Sequence, residues 1–346
     1  MNLKKHILST FIYLLLIFIV FAMLLREASL HDIADAVRGA SLPSLAAGLL
    51  FMVFAVSCEG LNLKKLLQVL DHEKPLKSCL RYAFIGHYFT SVTPGASGGQ
   101  PAQLYYMAKD GIPVGSASVA LLMYNLSYHI GIIAVYSIIF LFRSSLIAEM
   151  IGAFKILLIA GLAVHAVLLL FFLAIIFRPQ AIAFCGSILT KMLAKIRLIR
   201  HPERAEISLA RQTAYYRKGA EYIKSHPVIF LRIQPITLLQ LAVMFSVPFF
   251  VFTAFGLSGF NLLDLLALQA SVTLIADAVP MPGGVGISEA AFSAVYAGIF
   301  GSAFLLPSVI LCRMIGYYLP VAISGLLTLL LASRRKTRSG SGASIV

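Results

Sequence analysis

Pro280-Met281-Pro282-Gly283-Gly284-Val285-Gly286-Ile287-Ser288-Glu289 interrupts a region, residues 262–300, that is otherwise almost entirely apolar. Proline removes a backbone N–H and clashes with the turn before it, and glycine opens conformations closed to other residues, so no regular helix runs through this stretch. Working outward, a second passage reads the same way: Thr93-Pro94-Gly95-Ala96-Ser97-Gly98-Gly99-Gln100-Pro101, within the apolar region 78–109. Both hold Pro-Gly-x-x-Gly, at Pro94, Gly95 and Gly98 and again at Pro282, Gly283 and Gly286. A polar acceptor follows each, Gln100 in the first and Glu289 in the second.

The surrounding composition says which solvent these breaks sit in. Of 346 residues, 60% are hydrophobic and 12% charged, and the mean hydropathy is +0.91. A soluble domain carries about twice that share of charge, so the chain is read as an all-α integral membrane protein. Six segments are long enough to cover a hydrocarbon core of about 30 Å: residues 7–25, 42–61, 115–142, 152–177, 234–255 and 304–331. Lys4 and Lys5 before the first give it a signal-peptide look, but its apolar run is too long, and it is read as an uncleaved span. Residues 30–38 form a short amphipathic stretch suited to the interface. Cys58, Cys79, Cys185 and Cys312 are widely spaced and the histidines miss zinc spacings, so no metal and no cofactor is expected.

The formal net charge of +14 falls between apolar runs, as in a protein obeying the positive-inside rule. Eleven Lys or Arg lie between 178 and 232, and a basic tail occupies 333–346. These place both termini and the linker 178–233 in the cytoplasm of a multi-pass protein of the cell membrane, with residues 1–332 as one polytopic domain. The linker would meet anionic lipid head groups at the cytoplasmic face. Nucleic acid is set aside as a partner, because no basic face sits on a separate soluble domain. Self-association as a homo-oligomer is left open. With the linker inside, each broken region must cross zero times or twice. The two are therefore expected as helical hairpins, the first re-entrant from the cytoplasm and the second entering from outside, related as an inverted repeat.

Broken backbone at membrane depth survives only where protein buries it or water reaches it. After each break a half-helix starts, so its N–H groups and positive dipole end face the membrane centre and favour an anion. The candidate substrate-binding set is therefore Pro94, Gly95, Ser97, Gly98, Gly99 and Gln100 from the first break, and Pro282, Gly283, Gly284, Gly286, Ser288 and Glu289 from the second. Asp277 and Arg313 join it as charges inside apolar segments, where insertion costs about 3 kcal/mol. Glu59 is another charge inside an apolar segment, but near a helix end it is expected to be solvated. Gly95-Ala96-Ser97-Gly98-Gly99 also fits G-x-S-x-G, yet the sheet that a nucleophile elbow needs is missing, and no catalytic residue is assigned.

Three stretches carry a family resemblance. TPGASGGQPAQLYYMAKDGIPV (93–114) and PMPGGVGISEAAF (280–292) resemble the two signatures of the lysylphosphatidylglycerol synthase/flippase transmembrane-domain family, and RMIGYYLP (313–320) resembles its closing segment. The resemblance extends over about residues 5–332. It implies a domain that moves aminoacylated phosphatidylglycerol or other lipids between leaflets, a role tied to lipid metabolism and antimicrobial peptide resistance. Longer members add a soluble transferase domain that uses lysyl-tRNA. After Leu331 only fifteen residues follow, too few for that domain, so an enzymatic role in this chain is not expected. Gln100 stands where many relatives carry Glu. The leading expectation is a lipid flippase-like transporter for an anionic or aminoacylated phospholipid such as lysylphosphatidylglycerol. The alternatives are a phosphatidylglycerol lysyltransferase or an accessory subunit of one, and a transporter of a small anionic solute.

Overall fold

Apolar runs with helix-compatible starts and stops become helices, and the punctuation in the sequence decides where they turn. The computed structural model describes residues 30–93, 96–178, 221 and 228–328. The first expected span, 7–25, and nearly all of the linker and tail lie outside the described residues. Within the described residues the chain is helical throughout, with no strand.

α1 (Leu30–Gly39) is the short amphipathic stretch. Ser41, in an extended conformation, and a proline in the first turn start α2 (Leu42–Val69). α3 (Leu76–Val92) and α4 (Gly99–Lys109) are the arms of the first hairpin. α5 (Val114–Ile151) leaves helical geometry at Arg143, and a 3₁₀ turn at Gly152–Phe154, with Gly152 at φ +52°, starts α6 (Lys155–Phe177). α7 (Val228–Phe245) and α8 (Val247–Ala254) follow. α9 (Leu262–Asp277) and α10 (Ile287–Arg313) flank the second break. Gly301, at φ 65° and ψ 172°, splits α10 into two antiparallel pieces. A π turn, Met314–Tyr318, then carries the last helix on to Thr328.

By length and apolar composition, four described helical runs can cross a membrane: Leu42–Val69, Val114–Phe177, Val228–Ala254 and Ile287–Thr328. The second folds back at Arg143–Phe154, and the fourth at Gly301. Segment ends move accordingly. The span expected at 42–61 continues to Val69, and the one expected at 304–331 begins just after Gly301.

Each hairpin arm is shorter than the hydrocarbon core. At 1.5 Å per residue, α3 is about 26 Å long, α4 about 16 Å and α9 about 24 Å. Their orientation follows from α2. The first hairpin leaves from the Val69 end, where Lys74 Nζ donates to the Asp110 carbonyl at 2.9 Å, Tyr82 donates to Asp110 Oδ2 at 2.6 Å, and Arg81 pairs with the same carboxylate. The second hairpin leaves from the Leu42 end, because the Ser41 N–H donates to the Ala254 carbonyl at 2.8 Å. There Asn261 and Asp264 form a reciprocal capping box, and Arg143 Nε donates to Asp264 Oδ1 at 2.5 Å. The hairpins thus enter from opposite ends, and their tips meet between: the Tyr317 hydroxyl, packed at the second break, donates to the Ser91 carbonyl beside the first at 2.7 Å.

Two separate apolar clusters match the two hairpins. One gathers Leu63, Tyr82, Met107, Met123 and Ile233, and the other Phe252, Leu265, Ile275, Phe292 and Val309. Lipid tails are as apolar as these side chains, so packing depends on close approach and on buried polar contacts. Asn62 Nδ2 donates to Thr237 Oγ1 at 2.9 Å, and Gln240 Nε2 donates to the Tyr124 hydroxyl at 3.0 Å. Gly161 on α6 lies so close to the Leu274 carbonyl of α9 that a Cβ there would collide with it. Ile156, Ile159, Val167 and Leu170 on the other face of α6 are exposed, as lipid contact requires.

Candidate functional site

At the second break three glycines in left-handed geometry do what no other residue does cheaply. Gly283, Gly284 and Gly286 have φ of 58°, 62° and 92°. They turn the chain within a few residues and point the start of α10 at the last helix. The orphan N–H of Gly286 is taken by the carboxylate three residues on, with Glu289 Oε2 accepting at 2.7 Å. The other carboxylate oxygen, Oε1, accepts from Arg313 Nε at 2.7 Å. Arg313 Nη2 also donates to the Gly283 carbonyl at 3.0 Å.

The π turn after Arg313 stacks two aromatic rings beside the same cation. Its guanidinium carbon lies 4.6 Å from the Tyr317 ring centroid and 5.6 Å from that of Tyr318. The Arg313 side chain is 13% exposed and that of Glu289 only 2%. This is a buried ion pair, fixed by a break on one side and aromatic faces on the other. A Cβ on Gly283 would meet the Tyr317 ring and hydroxyl, so the break and the ring are fitted to each other.

Arg313 borders a cavity of about 190 Å³, together with Ser288, Gly283, Gly284, Asp277, Gln269 and Thr273. Pockets that enclose drug-sized ligands hold roughly 300–1,000 Å³, so this space, also walled by Met244, Phe245 and Phe292, suits one compact group rather than a whole lipid. Two of the five guanidinium N–H donors are engaged by Glu289 and Gly283, and the arginine still borders the cavity. Gln269 Oε1 is buried with no hydrogen-bond partner among the described residues. Asp277 does not reach Arg313. Its carboxylate, 42% exposed, accepts from or donates to His165 Nε2 at 3.1 Å. Of the two acids near the break, Glu289 holds the arginine and Asp277 faces the cavity.

The first break is built differently. Thr93 Oγ1 donates to the Phe89 carbonyl at 2.6 Å and accepts from the Gly98 N–H at 2.8 Å. A neutral hydroxyl thus caps the start of α4. Gly98 and Gly99 have no room for a Cβ against Thr93 and Thr90. Ser97 and Gln100 are exposed, and neither lines the cavity. Pro94 and Gly95 lie outside the described residues, as does the side chain of Pro282. The buried amide of this half is Gln103, whose Nε2 donates to Glu59 and, at 3.3 Å, to the Tyr82 carbonyl. Glu59, expected to be solvated near a helix end, is instead partly buried and held by Gln103, because α2 runs two turns beyond the expected stop.

The site therefore joins the second break and the last helix: Gly283, Gly284, Gly286, Ser288, Glu289, Arg313 and Asp277 come together. Ser97 and Gln100 do not join them. Sequence reading missed Tyr317, Gln269 and His165. For His165 a signal existed, since it is the one ionisable side chain inside the strongly apolar run 156–177.

A family model described as the lysylphosphatidylglycerol synthase TM region matches residues 7–324. The chain is also similar to a UPF0104 membrane protein of Archaeoglobus fulgidus, with 24% identity over 268 residues, covering 75% of this chain and 77% of that protein.

Proposed function

Because the chain belongs to the family of the lysylphosphatidylglycerol synthase transmembrane region, we propose that it moves a phospholipid with an anionic or aminoacylated head group between the leaflets of the cell membrane. The observation that carries this reading is the Arg313–Glu289 pair, held at a helix break, with Arg313 bordering a cavity beside the Tyr317 contact that joins the two hairpin tips. A phosphate entering the cavity competes with Glu289 for the guanidinium. Phosphate accepts a bidentate fork as well as a carboxylate does, so the arginine changes partner without being left unpaired. Glu289, once displaced, keeps the Gly286 N–H. The acyl chains stay outside the cavity, against the apolar faces. In the same reading both termini and the basic linker are cytoplasmic.

Vesicles of phosphatidylethanolamine and phosphatidylglycerol, holding the full chain and a trace of head-group-accessible fluorescent phosphatidylglycerol, test this. Faster bleaching of inner-leaflet label by an impermeant reductant than in empty vesicles is expected, with the effect lost in Arg313→Gln. Uptake of radiolabelled inorganic phosphate without lipid exchange would instead assign the site to a small solute and overturn the lipid reading.

A further inference from the structure

We propose that Asp277, His165 and His129 form a proton-binding chain that starts at the cavity wall and runs into the helix bundle, so that the site described above is loaded with a proton as well as a head group. The coupling half of this inference rests on the lipid-transport reading; the proton site itself does not.

Geometry carries it. His165 Nε2 lies 3.1 Å from Asp277 Oδ2, and His165 Nδ1 lies 2.9 Å from His129 Nδ1. One ring thus bridges a cavity carboxylate to a second ring behind it. His129 is 7% exposed and His165 4%. The contact is built into the packing: Gly161 lets α6 sit directly on the Leu274 carbonyl, and one turn further along, His165 faces Asp277. Phe172, also on α6, stacks on the His129 ring at 5.4 Å between ring centroids. Two buried imidazoles hydrogen-bonded nitrogen to nitrogen are an unusual use of space inside an apolar bundle, where ionisable groups mark ion or proton pathways.

The hydrogen-bond chemistry restricts the states. An Nδ1···Nδ1 contact needs one N–H and one lone pair. With Asp277 ionised and both rings neutral, His129 donates through Nδ1 and His165 donates through Nε2 to the carboxylate. A proton added at His129 Nε2 makes that ring an imidazolium. Its Nδ1 proton then passes to His165 Nδ1, and the Nε2 proton of His165 passes to Asp277. Before transfer the three groups carry +1, 0 and −1; afterwards all three are neutral, so charge and protons balance. The charged and titratable neighbours are Tyr128 and Tyr124 on α5, Glu59 on α2, and the Arg313–Glu289 pair of α10 across the cavity. α7 presents only neutral amides and hydroxyls on this side, Gln234, Thr237 and Gln240.

Protonating Asp277 removes a negative charge from a cavity that must accept a phosphate. Head-group entry and proton entry then favour each other, and an inward proton gradient drives exchange in one direction.

The test of the proton site uses the full chain in lipid nanodiscs with ¹⁵N-labelled histidine, resonances assigned through His129→Gln and His165→Gln. The signals of His129 and His165 should move together with one midpoint as pH changes. In Asp277→Asn the pair should bind that proton at least tenfold more weakly, and Asp277→Glu should restore most of the affinity. Independent titration of the two rings, or no change in Asp277→Asn, overturns the proton site. For coupling, the vesicles above are given an imposed pH gradient. Exchange of fluorescent phosphatidylglycerol that responds to the gradient in the parent but not in His165→Gln supports the inference. Exchange indifferent to the gradient in the parent overturns the coupling and leaves the lipid reading intact. No exchange in the parent defeats the lipid reading, while the histidine spectra still decide the proton site.

Discussion

The two breaks share the pattern Pro-Gly-x-x-Gly and use it for different ends. At the first, glycines give space: Gly98 and Gly99 let the arms close on Thr90 and Thr93, and a neutral hydroxyl satisfies the backbone. At the second, glycines give conformation: three left-handed residues turn the chain so that a carboxylate both caps a helix and holds an arginine. A motif in sequence specifies that the helix breaks. What satisfies the break differs, a hydroxyl at the first and a carboxylate paired with an arginine at the second, and in the proposed transport only the second exchanges its partner.

The sharpest way to break this contrast is at the charge. Arg313→Gln should abolish lipid exchange and destabilise the fold by about 3–5 kcal/mol, because it leaves Glu289 buried without a partner. The double variant Arg313→Met, Glu289→Met should recover most of that stability and none of the exchange. Thermal unfolding in detergent, beside exchange per folded molecule, checks both. If Arg313→Gln unfolds easily yet exchanges lipid at the parent rate per folded molecule, the arginine is only a staple.

Next in size is conformation. Gly283→Ala should cost about 1–2 kcal/mol for left-handed backbone alone, and more from contact with Tyr317. Gly111→Ala, at φ +83° with open space around it, measures the backbone part by itself. Denaturation midpoints that do not differ between the two would show that the Tyr317 contact is unimportant. Removing the link between the tips, by Tyr317→Phe, should cost about 1–3 kcal/mol, because the Ser91 carbonyl loses that donor. The smallest effect belongs to the first break. Thr93→Ala should cost about 1 kcal/mol, the usual value of a cap, with exchange reduced far less than in Arg313→Gln. A loss of exchange at Thr93 equal to that at Arg313 would erase the distinction.

Much of this is legible in the sequence. Proline and glycine inside apolar regions fixed both hairpins, and the parity of basic loops gave their opposite entry, because these depend on local backbone chemistry and on charge counts. Arg313, Glu289 and Asp277 were legible as costly charges. Their pairing was not. Glu289 and Asp277 lie on opposite sides of the break, and only the turn at Gly301, which folds α10 back on itself, brings Arg313 to the first of them. Gln100 has the place of a counterpart to Glu289 after the glycines, yet it sits in the exposed first turn of α4, and the amide that packs is Gln103, one turn further along and against Gly86 and Glu59. His165 is legible in the sequence only as a lone ionisable group in an apolar run; what it pairs with depends on Gly161, four residues earlier, and on what α9 presents there.

The fit between Gly283 and Tyr317 restricts which histories are open to this fold. The tyrosine hydroxyl occupies the region that any side chain at 283 would need, and the same hydroxyl ties the two tips together. A change at 283 is therefore tolerable only after the ring at 317 has shrunk, and a shrunken ring gives up the tie. Substitutions at these two positions, thirty-four residues apart in the chain, should arise as linked pairs and in a fixed order, the ring first.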